Sequence, residues 1–135
     1  MLNSLIIYVE DREDDVEILK NALKQARHAG EFLHLANVQA ARDYFQKAAA
    51  ENTNIPAIVL VDLHIHEHSG KDLIQFIRSL EPMQKVPIVS LSGSYMFEDL
   101  EKAYETGANL FLIKPSDLRG WTELVFRMRD YFPQT

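Results

Sequence analysis

Residues 57–70 read AIVLVDLHIHEHSG. The opening run is aliphatic at every position, which suits a strand covered on both faces rather than one with a wet side. Asp62 ends the run, and His64, His66 and His68 follow at alternate positions. Gly70 then opens GKDLIQFIRSL (70–80), which has helical periodicity with Leu73, Phe76, Ile77 and Leu80 on one face. Reactive groups therefore stand where a buried strand ends. Two chemistries compete for them: imidazoles holding a metal, or Asp62 as the reactive group with the histidines as its surroundings.

Working outward, the same alternation repeats along the chain. SLIIYVE (4–10), FLHLA (32–36), IVSLS (88–92) and NLFLI (109–113) read as four more strands. Helical patterns fill the gaps at 13–30, 39–52, 97–107 and 117–132. The first of these carries Val16, Leu19, Leu23 and Ala26 at helical spacing, has an acidic first turn, and is expected to stop at Gly30. Strand and helix alternating five times predict a doubly wound α/β domain with a parallel sheet covered on both faces. In such open sheets, function sits at the carboxyl ends of the strands. No repeat, low-complexity tract or linker divides residues 1–135, so a single domain is expected.

Bulk properties narrow the function classes. Fourteen basic and 20 acidic residues give a formal net charge of −6, the wrong sign for a nucleic-acid footprint. With no cysteine, disulfides and thiolate–zinc sites are excluded. No apolar run approaches the roughly 20 residues of a membrane helix, and the opening MLNSLIIYVED lacks a basic leader. A cytoplasmic protein with no membrane and no nucleic-acid partner is expected.

The strand ends hold a coherent set. Strand one ends in Glu10-Asp11, strand three in Asp62, strand four in Ser92-Gly93 and strand five in Lys114-Pro115. Clustered carboxylates repel one another, and a hard divalent cation relieves that repulsion. Oxygen-only ligands suit Mg2+ or Mn2+. An ionised aspartate beside such an ion is a nucleophile toward phosphorus, and an ammonium group and a hydroxyl can neutralise the incoming phosphoryl oxygens.

Together these residues resemble the receiver domain of two-component response regulators, from Leu5 to Phe132. VEDREDDVEILKNAL is similar to the VEDNPDD opening of stand-alone receivers associated with bacterial phytochromes, and GANLFLIKP to the segment G-A-[ND]-x-[YF]-[LIV]-x-K-P. The resemblance implies a flavodoxin-like, five-stranded parallel sheet of order 2-1-3-4-5. It implies that Asp62 accepts a phosphoryl group from a histidine kinase or phosphotransfer protein. Asp11, Asp62 and the His64 backbone carbonyl would bind the metal, with Glu10 close by or acting through water. Ser92 and Lys114 would contact the phosphoryl oxygens, Phe111 would be the aromatic switch, and the bond before Pro115 would be cis. Such a chain is a phosphoacceptor switch rather than an enzyme. With no output segment read after residue 132, its output is expected to be contact with a downstream protein.

The histidines mark departures from that pattern. His66 occupies the place where receivers carry proline, and His64 lies two residues after Asp62, where it is expected to tune the phosphoryl lifetime. His66 and His68 read as solvated loop. A zinc reading of H-x-H implies an amidohydrolase barrel of roughly 250 residues, longer than this chain. The metallo-β-lactamase pattern H-x-H-x-D-H and the haloacid-dehalogenase D-x-D also fail here. A small metal-dependent hydrolase and a phosphorylation-independent binding module stay as alternatives. Finally, Trp121, Val125, Met128 and Phe132 form the core stripe of the last helix, while Phe126 lies opposite among Arg119, Glu123, Arg129 and Asp130. Phe126 is expected to anchor a homodimer through the surface of helix four, strand five and helix five.

Overall fold

The aliphatic runs assemble into one parallel sheet: β1 (Ile6–Val9), β2 (Phe32–Leu35), β3 (Ile58–Asp62), β4 (Ile88–Ser92) and β5 (Leu110–Ile113). The computed structural model describes residues 5–28, 30–65, 68–93, 101 and 104–129. The sheet order is β2-β1-β3-β4-β5, as the resemblance implies. Between them run α1 (Glu13–Gln25), α2 (Val38–Glu51), α3 (Gly70–Ser79), a 3-10 turn (Glu81–Met83) and the last helix (Leu118–Met128). Of the helix expected over 97–107, most lies outside the described residues.

Why the strands are apolar throughout follows from the layering. Ile7, Val9, Val59 and Val61 pack with Ala41, Phe45, Leu73 and Ile77 of α2 and α3. Their alternate neighbours Ile6, Tyr8, Ile58 and Leu60 pack with Leu19 of α1 and with Trp121 and Val125 of the last helix. Period-two alternation thus distributes one strand between two cores. On the last helix the buried stripe is Trp121, Leu124, Val125 and Met128, so it includes Leu124 beyond the expected set. Phe132 lies outside the described residues.

Capping decides where the helices begin and end. The Asn37 side chain accepts from the Ala40 N–H at 2.7 Å, and the Asp117 side chain from the Gly120 N–H at 2.9 Å, each satisfying a donor of the first turn. α1 stops at Gln25, before the expected Gly30. Arg27 takes a left-handed φ of 57°, and the His28 N–H bonds back to the Leu23 carbonyl at 2.9 Å. This closure consumes the last carbonyls early. Arg78 secures β5 from the other side of the molecule. Its guanidinium donates to the carbonyls of Gly107 (2.9 Å) and Val86 (2.6 Å) and to Asn109 Oδ1 (2.6 Å).

The loop after β3 is short and folded back on itself. His64–Ile65 pairs antiparallel with His68–Ser69. Gly70 then starts α3 against the backbone of Asp62: a Cβ there would lie 2.2 Å from the Asp62 carbonyl oxygen. Only glycine permits that approach.

Candidate functional site

β2 lies on one side of β1 and β3 on the other. The carboxyl ends of β1 and β3 therefore flank the point where the winding reverses, the place where open sheets form a crevice. Glu10, Asp62 and Ser92 are buried there at 0%, 4% and 0% exposure, an unusual depth for charged groups.

Each acid is held by specific donors. Glu10 Oε2 accepts from the Tyr8 hydroxyl at 3.0 Å, and Oε1 from the Arg12 N–H at 3.2 Å. Tyr8 and Glu10 stand two apart on one strand, so both project to the same face. Burial, and then neighbouring Glu10, raise the Tyr8 pKa, which keeps the phenol a donor. His34 Nε2 lies 2.6 Å from the Glu10 carbonyl oxygen. Since a carbonyl only accepts, this ring nitrogen carries the proton. Asp62 Oδ1 accepts from the His64 N–H at 3.0 Å.

Lys114 joins the acids. Its Nζ lies 2.7 Å from Glu10 Oε2, 2.8 Å from Asp15 Oδ2 and 3.1 Å from Asp62 Oδ2. Burial alone would lower the Lys114 pKa, but the bonds to Asp15 and Glu10 outweigh it and hold the ammonium above the usual lysine value. Glu10 moves the other way from a normal carboxylate. Burial, with Asp62 adding to it, outweighs the Lys114 bond and raises its pKa to about 7.

The bond before Pro115 is not cis: among the described residues every peptide bond is trans. Lys114 reaches all three carboxylates with the trans isomer, which is favoured by about 0.5–1 kcal/mol before proline, so aiming the lysine requires no cis bond.

One oxygen from each of Glu10, Asp11 and Asp62 falls within 4.8 Å of the others. Three buried or half-buried carboxylates with no soft ligand fit a hard divalent ion such as Mg2+ or Mn2+. Among the described residues, the group contains no imidazole. His64 is exposed, and His66 lies outside the described residues. Of the three histidines, only the side chain of His64 is described, and it is not a member of that group.

Because Glu10 has a folded pKa of about 7 against an ordinary 4.5, the folded state binds the extra proton between these values. Without metal, this group's contribution to stability is therefore present at low pH and lost as pH rises through about 7. A cation does the proton's work above that point. Millimolar Mg2+ is expected to raise the melting temperature, and to raise it more at about pH 8 than at about pH 6. Thermal melts of wild type and Asp11→Asn check this: the variant should lose the Mg2+ shift at both values. A shift produced instead by zinc removal would return the histidines to the centre.

Not all of the site was anticipated. Asp15, Tyr8 and His34 were missed. Asp15 had a faint signal, since it sits in the first turn of a helix that starts directly at a strand end. Tyr8 had another, its i, i+2 relation to Glu10. His34 had none, because it meets Glu10 only through the pairing of β1 with β2. An added Cβ at Gly93 would meet no atom of the described residues within 4 Å. Phe111 is half-buried against the core shared with α2 and α3, the face opposite the last helix, and its position also borders a groove of about 410 Å3 between β5 and that helix. Phe126 is 48% exposed, with the Arg129 guanidinium 4.5 Å from its ring centre.

Known proteins share this arrangement of elements. The chain is 27% identical over 128 residues to the probable methanogenesis regulatory protein FilR2 of Methanothrix harundinacea, across 95% of this chain and 83% of that one. It is 25% identical over 132 residues to response regulator Rcp1 of Synechocystis sp., across 97% and 90%. The crystal structure of Mn2+-bound Rcp1 superposes with a TM-score of 0.81 at 24% identity, covering 97% of this chain and 99% of that one. The phosphorylated cyanobacterial phytochrome response regulator RcpA superposes at 0.84 and 22% identity, covering 96% and 94%. The family model for the response regulator receiver domain matches residues 6–126, a span that contains every strand of the sheet and every acid of the site, and the chain belongs to that family.

Proposed function

We propose that this receiver domain is a phosphorylation switch in the cytoplasm. In this reading Asp62 takes a phosphoryl group from the phosphohistidine of a histidine kinase or phosphotransfer protein. The observation that carries it is Lys114, whose ammonium touches Asp62, Glu10 and Asp15 at once beneath an open cleft. An Asp62 carboxylate oxygen forms the new O–P bond while the P–N bond of the donor breaks, and the imidazole leaves with a proton. Asp11, Asp62 and Glu10, with the His64 carbonyl, would hold Mg2+ or Mn2+, which supplies charge neutralisation of the phosphoryl oxygens. Lys114 exchanges one of its carboxylate contacts for a phosphoryl oxygen. Ser92 donates its hydroxyl to another. Mn2+-bound Rcp1 and phosphorylated RcpA support this reading by likeness. Wild type incubated with acetyl phosphate and Mg2+ should gain the mass of one phosphoryl group; an unchanged intact mass overturns the reading.

The output would be a population shift. Ser92 pairs in register with Ile113, and Ser90 with Phe111, on neighbouring strands. Movement of Ser92 toward the phosphoryl group is thereby transmitted to β5, and Phe111 follows, reshaping the surface around β5 for a downstream protein. His64 beside the phosphoryl group sets its lifetime by shielding or guiding water.

The same surface carries a homodimer in this proposal. Phe126 projects from the last helix beside Arg119, Glu123 and Arg129, an apolar centre with a rim of both charges. Such a patch is self-complementary in a twofold contact. Phe126→Asp should leave the fold and Asp62 phosphorylation intact and weaken self-association by about tenfold or more, since burying a charge in that contact is costly. Analytical ultracentrifugation with and without beryllofluoride reads this out. Wild type that stays monomeric in both states removes the dimer.

A further inference from the structure

The cleft above Asp62 has a volume of about 280 Å3 and is lined by Arg12, Asp62, His64, Gly93 and Lys114. Two of these are permanent cations, and they are used differently. The Lys114 ammonium is held by three carboxylates. The Arg12 side chain is exposed, and among the described residues no carboxylate pairs with its guanidinium. It does not cap α1 either: Arg12 occupies the N-cap position with no side-chain bond to the helix. Its backbone does the structural work through the N–H donated to Glu10 Oε1. Among the described residues its side chain makes no hydrogen bond or ion pair that would hold this local structure together.

The charge balance of the cleft shows what such a residue can do. Glu10, Asp11, Asp15 and Asp62 face a single ammonium. Even with a divalent ion added, the ionised acids leave the site short of one positive charge. A phosphoryl donor arrives carrying about two negative charges. A further cation at the mouth offsets that repulsion, and a guanidinium presents paired N–H groups that match the oxygens of a phosphoryl group. Asparagine, which stands at this place in the opening VEDNPDD, carries no charge.

We propose that Arg12 is a phosphoryl-binding, specificity-determining residue of this site, contacting the oxygens of the incoming donor from the wall of the cleft it shares with Asp62 and Lys114. The inference rests on the reading of Asp62 as phosphoacceptor. Arg12 then favours donors with a fully ionised phosphoryl group and stabilises the anion once it is attached. It simultaneously opposes the metal, because it is a like charge near the same acids. The two effects have opposite signs, and that separates anion binding from a structural role.

The experiment compares wild type, Arg12→Ala and Arg12→Lys by three measurements: Mg2+ affinity by calorimetry, beryllofluoride affinity in saturating Mg2+, and the rate of labelling by acetyl phosphate read as intact mass. Arg12→Ala is expected to weaken beryllofluoride binding and slow labelling by about tenfold each, the worth of one charge-assisted hydrogen-bonding group. Its Mg2+ affinity should rise, and its melting temperature should stay at the wild-type value. Arg12→Lys should fall between the two, keeping the charge without the fork. Unchanged beryllofluoride affinity and labelling rate in Arg12→Ala overturn the inference. So does a loss of Mg2+ affinity parallel to the loss of labelling, which marks a disturbed site. If wild type itself takes up no phosphoryl group, the reading of Asp62 fails and the inference with it.

Discussion

Asp62→Asn is expected to take up no phosphoryl group from acetyl phosphate while remaining folded. Asparagine has the shape of aspartate, and its amide can still hold the bond that Asp62 Oδ1 accepts from the His64 N–H at 3.0 Å. What it lacks is an anionic oxygen to attack phosphorus. The neighbouring acids cannot take over. Glu10 is fully buried and bonded to Tyr8, Arg12 and Lys114, and Asp15 is paired with Lys114. Among the described acids, Asp62 alone lines the wall of the open cleft, beside Gly93, whose missing side chain leaves room for a donor. The substitution also removes one of several crowded negative charges. The variant should therefore melt no lower than wild type in the absence of metal. Intact mass after incubation with Mg2+ and acetyl phosphate decides the matter: labelling of the variant equal to wild type places the acceptor elsewhere.

Lys114→Ala should produce the largest change in stability. The Lys114 side chain is 14% exposed, and the side chains of Glu10, Asp15 and Asp62 that it contacts are 0%, 20% and 5% exposed, so water screens these pairs little. Removing one partner from a buried ion pair costs about 3–5 kcal/mol, because the charges left behind are unpaired. Glu10 limits the loss, since its pKa of about 7 lets it take a proton in place of the lysine. A cost near about 3 kcal/mol lowers the melting temperature of a domain this size by about 10 °C. Millimolar Mg2+ should restore most of that, as a second means of neutralising the same carboxylates. Lys114→Arg, which keeps the charge, should lose much less. Thermal melts of both variants with and without Mg2+ test this. A Lys114→Ala melt within about 2 °C of wild type without metal shows that the lysine is not the counter-ion of the cluster.

Both expectations depend on residues whose type and place were visible along the chain before any packing was considered. Unbroken aliphatic runs mean strands covered on both faces, and helical periodicity between them means crossovers. These signals are short-range, arising from a handful of adjacent residues and the fixed two- and 3.6-residue periods of the backbone. The five strands, the parallel sheet and the positions of Glu10, Asp62, Ser92 and Lys114 at strand ends were legible for that reason. Helix ends were less so. Gly30 looked like the stop of α1, but the left-handed turn at Arg27 closes it first, a matter of backbone geometry that an arginine does not advertise.

Convergence was decided by the tertiary structure. Lys114 is 104 residues from Glu10, 99 from Asp15 and 52 from Asp62 in sequence, and touches all three. That contact requires the order β2-β1-β3-β4-β5 and a register that pairs Val9 with Val61, and Ser92 with Ile113. The pairing of β1 with β2 brings His34 to the Glu10 carbonyl, and the start of α1 turns Asp15 into the cluster. Local sequence determined which groups would end the strands. Only the packed sheet, through strand order and register, determined that three carboxylates would share one ammonium and that Arg12 would line the same cleft with no carboxylate partner among the described residues.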